Sequence, residues 1–594
     1  MARPLRIANC SGFLGDRLDA AREMVEGGPI DVLTGDYLAE LTMLILWKAR
    51  AKDPGAGYAS TFLRQMEEVL GICVDRKIRV VANAGGLNPA GLAERLRALA
   101  DKLGIRVRIA HVEGDDLLPR LDELAEAGVV LRNADTGRTL DEAPSAPVTA
   151  NAYLGGFGIA RALAEGADVV VCGRVTDASL VVGPAVWHFG WKRDDWDRLA
   201  GAVAAGHVIE CGPQATGGNY SFFAEVPGLE HPGFPIAEVY EDGSIVITKH
   251  PGTGGLVSVG TVTAQLLYEI GAARYANPDV VARFDTIELA QEGPDRVRLS
   301  GVRGEPAPGE TKVCLNFLGG FRNSMTFILT GLDVEEKAAL ARRTLFAALG
   351  GESRFAEVDV RLIRSDKPDA ASNEEATALL RVTVKDPDPA KVGRSFANAV
   401  IEMALASYPG FSCTTPPTNE TPYGVYWPAL VPARLVPEVV VHHDGRREEV
   451  AAGGAAGGSG VKAAAEASSP IGSTFVGEVE KRPLGVLAGA RSGDKGGNAN
   501  VGFWTRDARS FEWLQSFLTV ERLRALLPEA RDLAIERHPL PNLLALNFVV
   551  HGLLGDGVAA STRPDPQAKG LGEYLRSRVV EIPKELLAAR SGGG

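Results

Sequence analysis

The chain has 594 residues, 45% of them apolar and 23% charged, a soluble-type composition, with a formal net charge of −12. That length exceeds a single core and suits three or four domains of roughly 100–200 residues each. The acidic surplus argues against nucleic acid as a partner but leaves room for a local basic pocket and an anionic small-molecule substrate. No apolar run approaches the ~20 residues of a bilayer span, and the start, MARPLRIANCSGF, lacks a signal peptide's apolar core. A cytoplasmic protein with no membrane association is expected. Cys10, Cys73, Cys172, Cys211, Cys314 and Cys413 show no CxxC and no Cys/His pair at zinc spacing, so no metal is expected.

Residues 1–200 alternate strand and helix. Strands are expected at Leu5–Cys10, Ile30–Thr34, Ile78–Ala82, Val107–His111 and Asp168–Cys172. Helices are expected from Tyr37, over Tyr58–Asp75, from Pro89 and over Ala152–Glu165. This order predicts an α/β domain with a doubly wound, mainly parallel sheet. Its strand-end loops, Ser11–Arg17, Gly35–Asp36, Asn83–Asn88, Glu113–Asp116 and Gly173–Asp177, would then share one edge, where such sheets bind ligands. SGFLGDR matches neither GxGxxG nor GxxxxGK[ST], so a plain βα turn is preferred to a dinucleotide site. HVIECGPQATGGNYS (207–221) reads as a further buried strand delivering a polar loop. A hairpin, Ala237–Tyr240 with Ser244–Thr248, leads to KHPGTGG (249–255) and a helix over Val259–Ile270.

From Thr311 the pattern is strand (Lys312–Phe317), strand (Met325–Thr330), helix (Glu335–Leu349), strand (Glu357–Ile363), strand (Ala378–Lys385) and helix (Lys391–Ser407), with a returning strand at Leu435–Val441. That is close to ferredoxin-like order. Ala451–Ser473 is dominated by Ala, Gly and Ser and reads as a linker. After it come a strand (Leu484–Ala488), a polar loop in GARSGDKGGNANVGFW, a helix (Phe511–Leu527), paired strands (Leu533–Pro539, Leu544–His551) and a helix (Gly570–Arg578). The expected division is an α/β core at 1–310 with a β-rich extension from about 200, an α+β ferredoxin-like unit at 311–450, a linker at 451–481 and an α+β ferredoxin-like domain at 482–594.

Chemistry is expected where polar residues crowd these loops. Asp177 and Glu210 are the acid/base candidates, since a carboxyl moved into an apolar-walled pocket gains a raised pKa. Arg174 could hold a substrate carboxylate by two hydrogen bonds. Gln214, Thr216 and Asn219, around Gly217 and Gly218, offer neutral donors for an oxyanion. Asp36 and Asn83 would be the first strands' contributions, although Asp36 also suits a helix N-cap. Lys249 and Thr253 sit among glycines that free backbone donors for an anion, and Arg491, Asp494, Lys495 and Asn498 form a second such group. A simple turn or hairpin remains the alternative for both. Cys211 is placed below Glu210, because a thiol needs a base or a helix N-terminus to become a nucleophile.

CGRVTDAS, HVIECGPQATGGNYS, KHPGTGG with the helix through QLLYEIG, and ARSGDKGGNANVG together resemble the acyclic terpene utilisation (AtuA) family; SGFLGDR and NAGGLNP fit as well. The resemblance spans about residues 5–440 and 482–590. It implies a ferredoxin-fold C-terminal domain and a place in citronellol and geraniol breakdown, which runs through branched acyl-CoA intermediates. It implies no particular reaction. The expectation is an enzyme of hydratase or lyase type acting on a carboxylate or acyl-CoA intermediate, with no cofactor beyond a CoA thioester that could be part of the substrate. The alternative is a non-catalytic subunit associated with an acyl-CoA carboxylase or dehydrogenase. A nucleotide-dependent ligase or dehydrogenase lacks its phosphate motif. Homo-oligomers are compatible with either reading.

Overall fold

Alternate residues of five short β-branched strands enter two different apolar cores. Ile7, Val32, Val81, Val112 and Val170 face one, and Ala8, Leu33, Val80, Ile109 and Val171 the other. These strands, Leu5–Asn9, Val32–Gly35, Arg79–Ala82, Val169–Cys172 and Ile109–Glu113, pair parallel in that spatial order in a computed structural model of the chain. The structure describes residues 3–454, 475 and 477–591; most of the expected 451–481 linker lies outside the described residues. Helices Ala20–Glu26, Ser60–Arg76 and Pro89–Leu103 bury their apolar sides on one face, and Phe157–Ala164, Ser179–Phe189 and Trp196–Ile209 on the other. Asn88 caps the third of these by accepting from the Gly91 N–H, with Pro89 in the first turn.

The expectation of a mainly parallel sheet is corrected by what flanks these strands. Pro235–Val239, Ile245–Lys249, Arg296–Ser300 and Glu288–Gly293 extend one edge antiparallel, and Glu438–Val441 with Arg447–Val450 extend the other. The result is a mixed eleven-stranded sheet. Its outer strands come from later in the chain, so the local strand–helix alternation of residues 1–200 could not reveal them.

A second correction concerns His207. The run before it is the helix Trp196–Ile209, not a strand, with every residue from Leu199 to Ile209 buried. A continuous apolar run has no period that separates a buried helix from a buried strand. Alanine and glycine decide it here, because the helix lies hard against its neighbours. A Cβ on Gly201 would stand 2.0 Å from the Gly243 carbonyl oxygen, and one on Gly206 would stand 2.5 Å from the Ala178 Cα.

The two strands expected at Lys312–Phe317 and Met325–Thr330 are one strand, Glu310–Thr330. Gly319-Gly320 reads as a break, but Gly320 takes φ +125° in a register shift and the chain bends without reversing. Its second half lies between Ser412–Cys413 and Thr377–Asp386, with Glu357–Ile363 outermost. Its first half pairs with Thr421–Pro432 and with Pro147–Ala152. The expected helix Lys391–Ser407 is broken at Gly393 into Pro389–Val392 and Arg394–Glu402. Because Pro147–Ala152 joins this sheet and Glu438–Val441 returns to the first, the two units interlock.

The C-terminal sheet runs Ala488–Lys495, Asn498–Thr505, Ala545–Val550, Ile535–Leu540. GARSGDKGGNANVGFW is therefore a β-hairpin turning at Gly496-Gly497, not a loop. Ala490, Ala499, Val501 and Phe503 enter the domain's own core, while Arg491, Lys495, Asn498 and Asn500 alternate to the other side, toward the rest of the chain. No helix among the described residues is long and apolar enough to cross a membrane.

Candidate functional site

The other side of that hairpin closes on the loops that follow the central strands. Ser221 Oγ accepts from the Ala490 N–H at 3.0 Å and donates to its carbonyl at 2.7 Å. Arg491 donates to the Asn219 carbonyl at 3.2 Å, and Asn500 Oδ1 accepts from the Glu269 N–H at 2.8 Å. Asn498 donates to Asp135 at 2.8 Å and accepts from the Gly552 N–H. The C-terminal domain thus faces residues 210–221 within its own chain.

Between them lie charges drawn from every unit. Asp36 follows the strand Val32–Gly35, and its Oδ1 accepts from Asn83 Nδ2 at 2.7 Å and from the Leu38 N–H at 3.0 Å. Arg174 follows Val169–Cys172. It donates to the Leu38 carbonyl, places a nitrogen 3.0 Å from Asp177 Oδ1 and stacks 4.1 Å over the Tyr153 ring. Glu210 caps the helix Trp196–Ile209. Glu40 opens the helix Glu40–Lys52 and pairs with Lys312 of the long middle strand at 3.1 Å, with the Tyr153 and Tyr426 hydroxyls beside it. Glu269 sits after the helix Val259–Leu266 at φ +56°. From the hairpin come Arg491, 4.4 Å over the Tyr268 ring, then Asp494 and Lys495.

These groups are enclosed by protein, yet some keep access to solvent. The side chains of Asp177, Glu40 and Lys312 are 32, 29 and 38% exposed, whereas Arg174 is 3% exposed. Enclosure with residual access marks the walls of a cleft. Its electrostatics separate the carboxyls. Burial, opposed by Lys312 and Arg174, leaves Glu40 lowered to about 2, so it is ionised. Burial with Asp177 and Glu269 nearby pushes Glu210 well above the carboxylate range. Burial with Glu269 and Glu40 pushes Asp494 up to about 8, and burial raises Asp36 and Glu269 too. His207 Nδ1 is 3.2 Å from Glu210 Oε1 but not aligned as a hydrogen bond. Burial lowers that imidazole to about 4, so near neutrality the ring is uncharged and the two do not form an ion pair. Burial, then Glu210 and Glu269, drive the Cys211 thiol up, which leaves it a poor nucleophile.

Among the described residues, several buried atoms of the cleft's groups lack hydrogen-bond partners, including Arg174 Nε, Asp177 Oδ1, Glu210 Oε2, Gln214 Oε1 and an Arg491 guanidinium nitrogen (Nη2). Unpaired buried polar groups are costly, and a ligand can satisfy them.

Of the residues expected from sequence, Asp36, Asn83, Arg174, Asp177, Glu210, Gln214, Asn219, Arg491, Asp494 and Lys495 converge on the cleft. Asn498 is engaged with Asp135 and Gly552 as described. Thr216 spends its hydroxyl on the Pro213 and Gly233 carbonyls, and Gly217 (φ +103°) and Gly218 shape the turn. Lys249 donates to the Thr253 carbonyl and pairs with Asp295 at 3.2 Å, so neither Lys249 nor Thr253 is brought to the cleft. Sequence reasoning missed Glu40, Glu269, Lys312, Tyr153, Tyr268 and Tyr426. A charge inside an apolar run, as in LLYEIG, is the signal that could have found Glu269. Among the described residues no group of three or more His, Cys, Asp or Glu is arranged to hold a metal. A hollow of about 460 Å³ between Trp513, Phe517 and Arg522 includes none of the cleft's residues.

The sequence profile of the acyclic terpene utilisation family protein AtuA matches residues 5–442, and that of the AtuA ferredoxin-like domain matches residues 482–581. No curated protein and no solved structure gave a match. The two profiles together span both walls of the cleft, and the chain belongs to the acyclic terpene utilisation (AtuA) family.

Proposed function

We propose that the protein is an enzyme of acyclic terpene catabolism performing acid/base chemistry, of hydration or lyase type, on a carboxylate or acyl-CoA intermediate. The observation that carries this reading is the divergence of the carboxyls: Glu40 is held ionised by Lys312 and Arg174, while burial and like charge push Glu210 and Asp494 toward the protonated form. Carboxyls driven apart in one site supply a proton donor and a proton acceptor at the same pH. Glu210 gives or takes the proton at carbon. Arg491, with a guanidinium nitrogen still unpaired, binds the substrate's carboxylate or thioester oxygen. Arg174 donates to the Leu38 carbonyl and lies 3.0 Å from Asp177, so its part is to position Asp177 and offset the cleft's negative charge.

The test is turnover of branched acyl-CoAs and their free acids by the purified protein and by Glu210→Gln. Turnover by the wild type, lowered at least about 100-fold in the variant, supports the reading. Turnover unaffected by the variant removes Glu210. Binding without turnover makes the chain a partner subunit of an acyl-CoA carboxylase or dehydrogenase instead.

A further inference from the structure

Lys249, Lys312, Lys385 and Lys391 each have a carboxylate oxygen within 3.2 Å. Lys495 lies amid the cleft's carboxyls and has none: among the described residues no carboxylate comes within 4.0 Å of its amine, which donates to the Glu269 carbonyl at 3.3 Å. Its position is set by the hairpin turn, since Lys495 is the last residue of Ala488–Lys495 and Gly497 and Asn498 tie that turn to Asp135. Its side chain remains exposed while protein encloses the cleft around it. A lysine held in a cleft, unpaired and reachable by a small molecule, is placed as a nucleophile rather than as a structural cation.

We propose that the Lys495 amine forms an imine with a ketone or aldehyde carbonyl of the substrate, so that the carboxylate or acyl thioester of the reading above, on which this inference rests, also carries a carbonyl group.

Desolvation by the protein crowded around the amine, and the neighbouring Lys312 cation, lower the Lys495 pKa against the opposing pull of Glu269, Glu40 and Asp135, although the side chain keeps a path to solvent, and this raises the fraction of neutral amine. That amine attacks the carbonyl carbon as the π pair moves to oxygen, and a proton passes from nitrogen to that oxygen to give a carbinolamine. Asp494, protonated below about pH 8, donates a second proton. Water leaves and the nitrogen lone pair closes the C=N bond as an iminium, Asp494 being left as its carboxylate. The iminium then accepts the electron pair of a bond broken at the adjacent carbon, the lyase-type outcome.

The experiment traps the imine in the intact wild-type protein. Pyruvate and butanone serve as separate probes with sodium cyanoborohydride at neutral pH, followed by peptide mass mapping. The expected result is a Lys495 peptide heavier by the probe's mass less one oxygen, at no less than about tenfold the yield at exposed Lys52. Labelling of Lys495 no greater than that of Lys52 with both probes overturns the proposal. That outcome leaves the acid/base reading standing if Glu210→Gln still abolishes turnover, so the two fail separately. No variant of Lys495 is needed, and misfolding cannot mimic the negative result.

Discussion

Arg491 is the residue on which recognition depends. It is 6% exposed, one guanidinium nitrogen is spent on the Asn219 carbonyl, its face lies over Tyr268, and another nitrogen is buried without a partner. A lysine keeps the charge but loses the planar fork and the stacking. Arg491→Lys should therefore raise KM about 10–100-fold, the worth of roughly 1.5–3 kcal/mol for a hydrogen bond to a charged group, with a much smaller change in kcat. Steady-state kinetics separates this from a folding defect, which would lower kcat by reducing the active fraction and leave KM in place. Asp494 sets the alkaline side of the reaction. Its proton is present below its folded pKa of about 8 and lost above it, so activity that depends on it falls as pH rises through about 8. Asp494→Asn should lower kcat and remove that limb from the pH–rate profile.

The helix Trp196–Ile209 is the element that delivers Glu210, and its sequence was misread because it carries no periodicity. What specifies it is smallness: Gly201 and Gly206 let its backbone touch Gly243 and Ala178. Gly201→Ala suits an isolated helix, yet here its methyl group meets a backbone oxygen that cannot swing aside. The variant should lose about 1–3 kcal/mol of stability, read as a lower midpoint in urea, the cost typical of overpacking. The periodic elements were legible: Glu357–Ile363 and the helix from Pro89 carry alternation, or a cap with a first-turn proline, in their own residues. The misread ones depend on partners distant in sequence. Gly319-Gly320 signals a turn locally and becomes a bulge only because Thr421–Pro432 runs alongside it. GDKGGNAN resembles a free anion-binding loop until Glu269, Asp135 and Leu267 occupy its donors and acceptors. The site was half legible for the same reason. Strand-end residues such as Asp36 and Arg174 announce themselves by position, whereas Glu40 and Lys312 acquire meaning only from each other across the fold.

At the scale of the whole molecule, buried carboxyls fix how stability varies with pH. Glu438, 1% exposed, accepts from the Gly158 N–H and fastens the returning strand Glu438–Val441 to the helix Phe157–Ala164, while Asp279 accepts from the Gly156 N–H at 2.7 Å in the turn before that helix. Burial and Asp279 push Glu438 up to about 8, and burial pushes Asp115 up to about 7. A folded pKa above the unfolded value means that the unfolded chain ionises first as pH rises. The stabilisation is thus complete below about 4.5 and is lost progressively up to about 8. Glu113 and Glu448 work in the opposite sense: hydrogen bonds from His111 and Arg161 lead in lowering them to about 2, so their contribution is present above about 4.5 and lost as pH falls toward 2. The two sets cross in the mildly acidic range, and thermal stability should peak near pH 5 rather than at neutrality. Glu438→Gln keeps an acceptor for the Gly158 N–H but cannot ionise. It should flatten the fall in midpoint temperature between pH 5 and 8 by removing a penalty on the order of 4 kcal/mol at the alkaline end. Thermal denaturation of both proteins across that range decides the matter. Parallel slopes would mean that the buried Glu438 is already ionised and paid for within the fold, and a flatter slope that the clasp between the two interlocked units is a neutral acid.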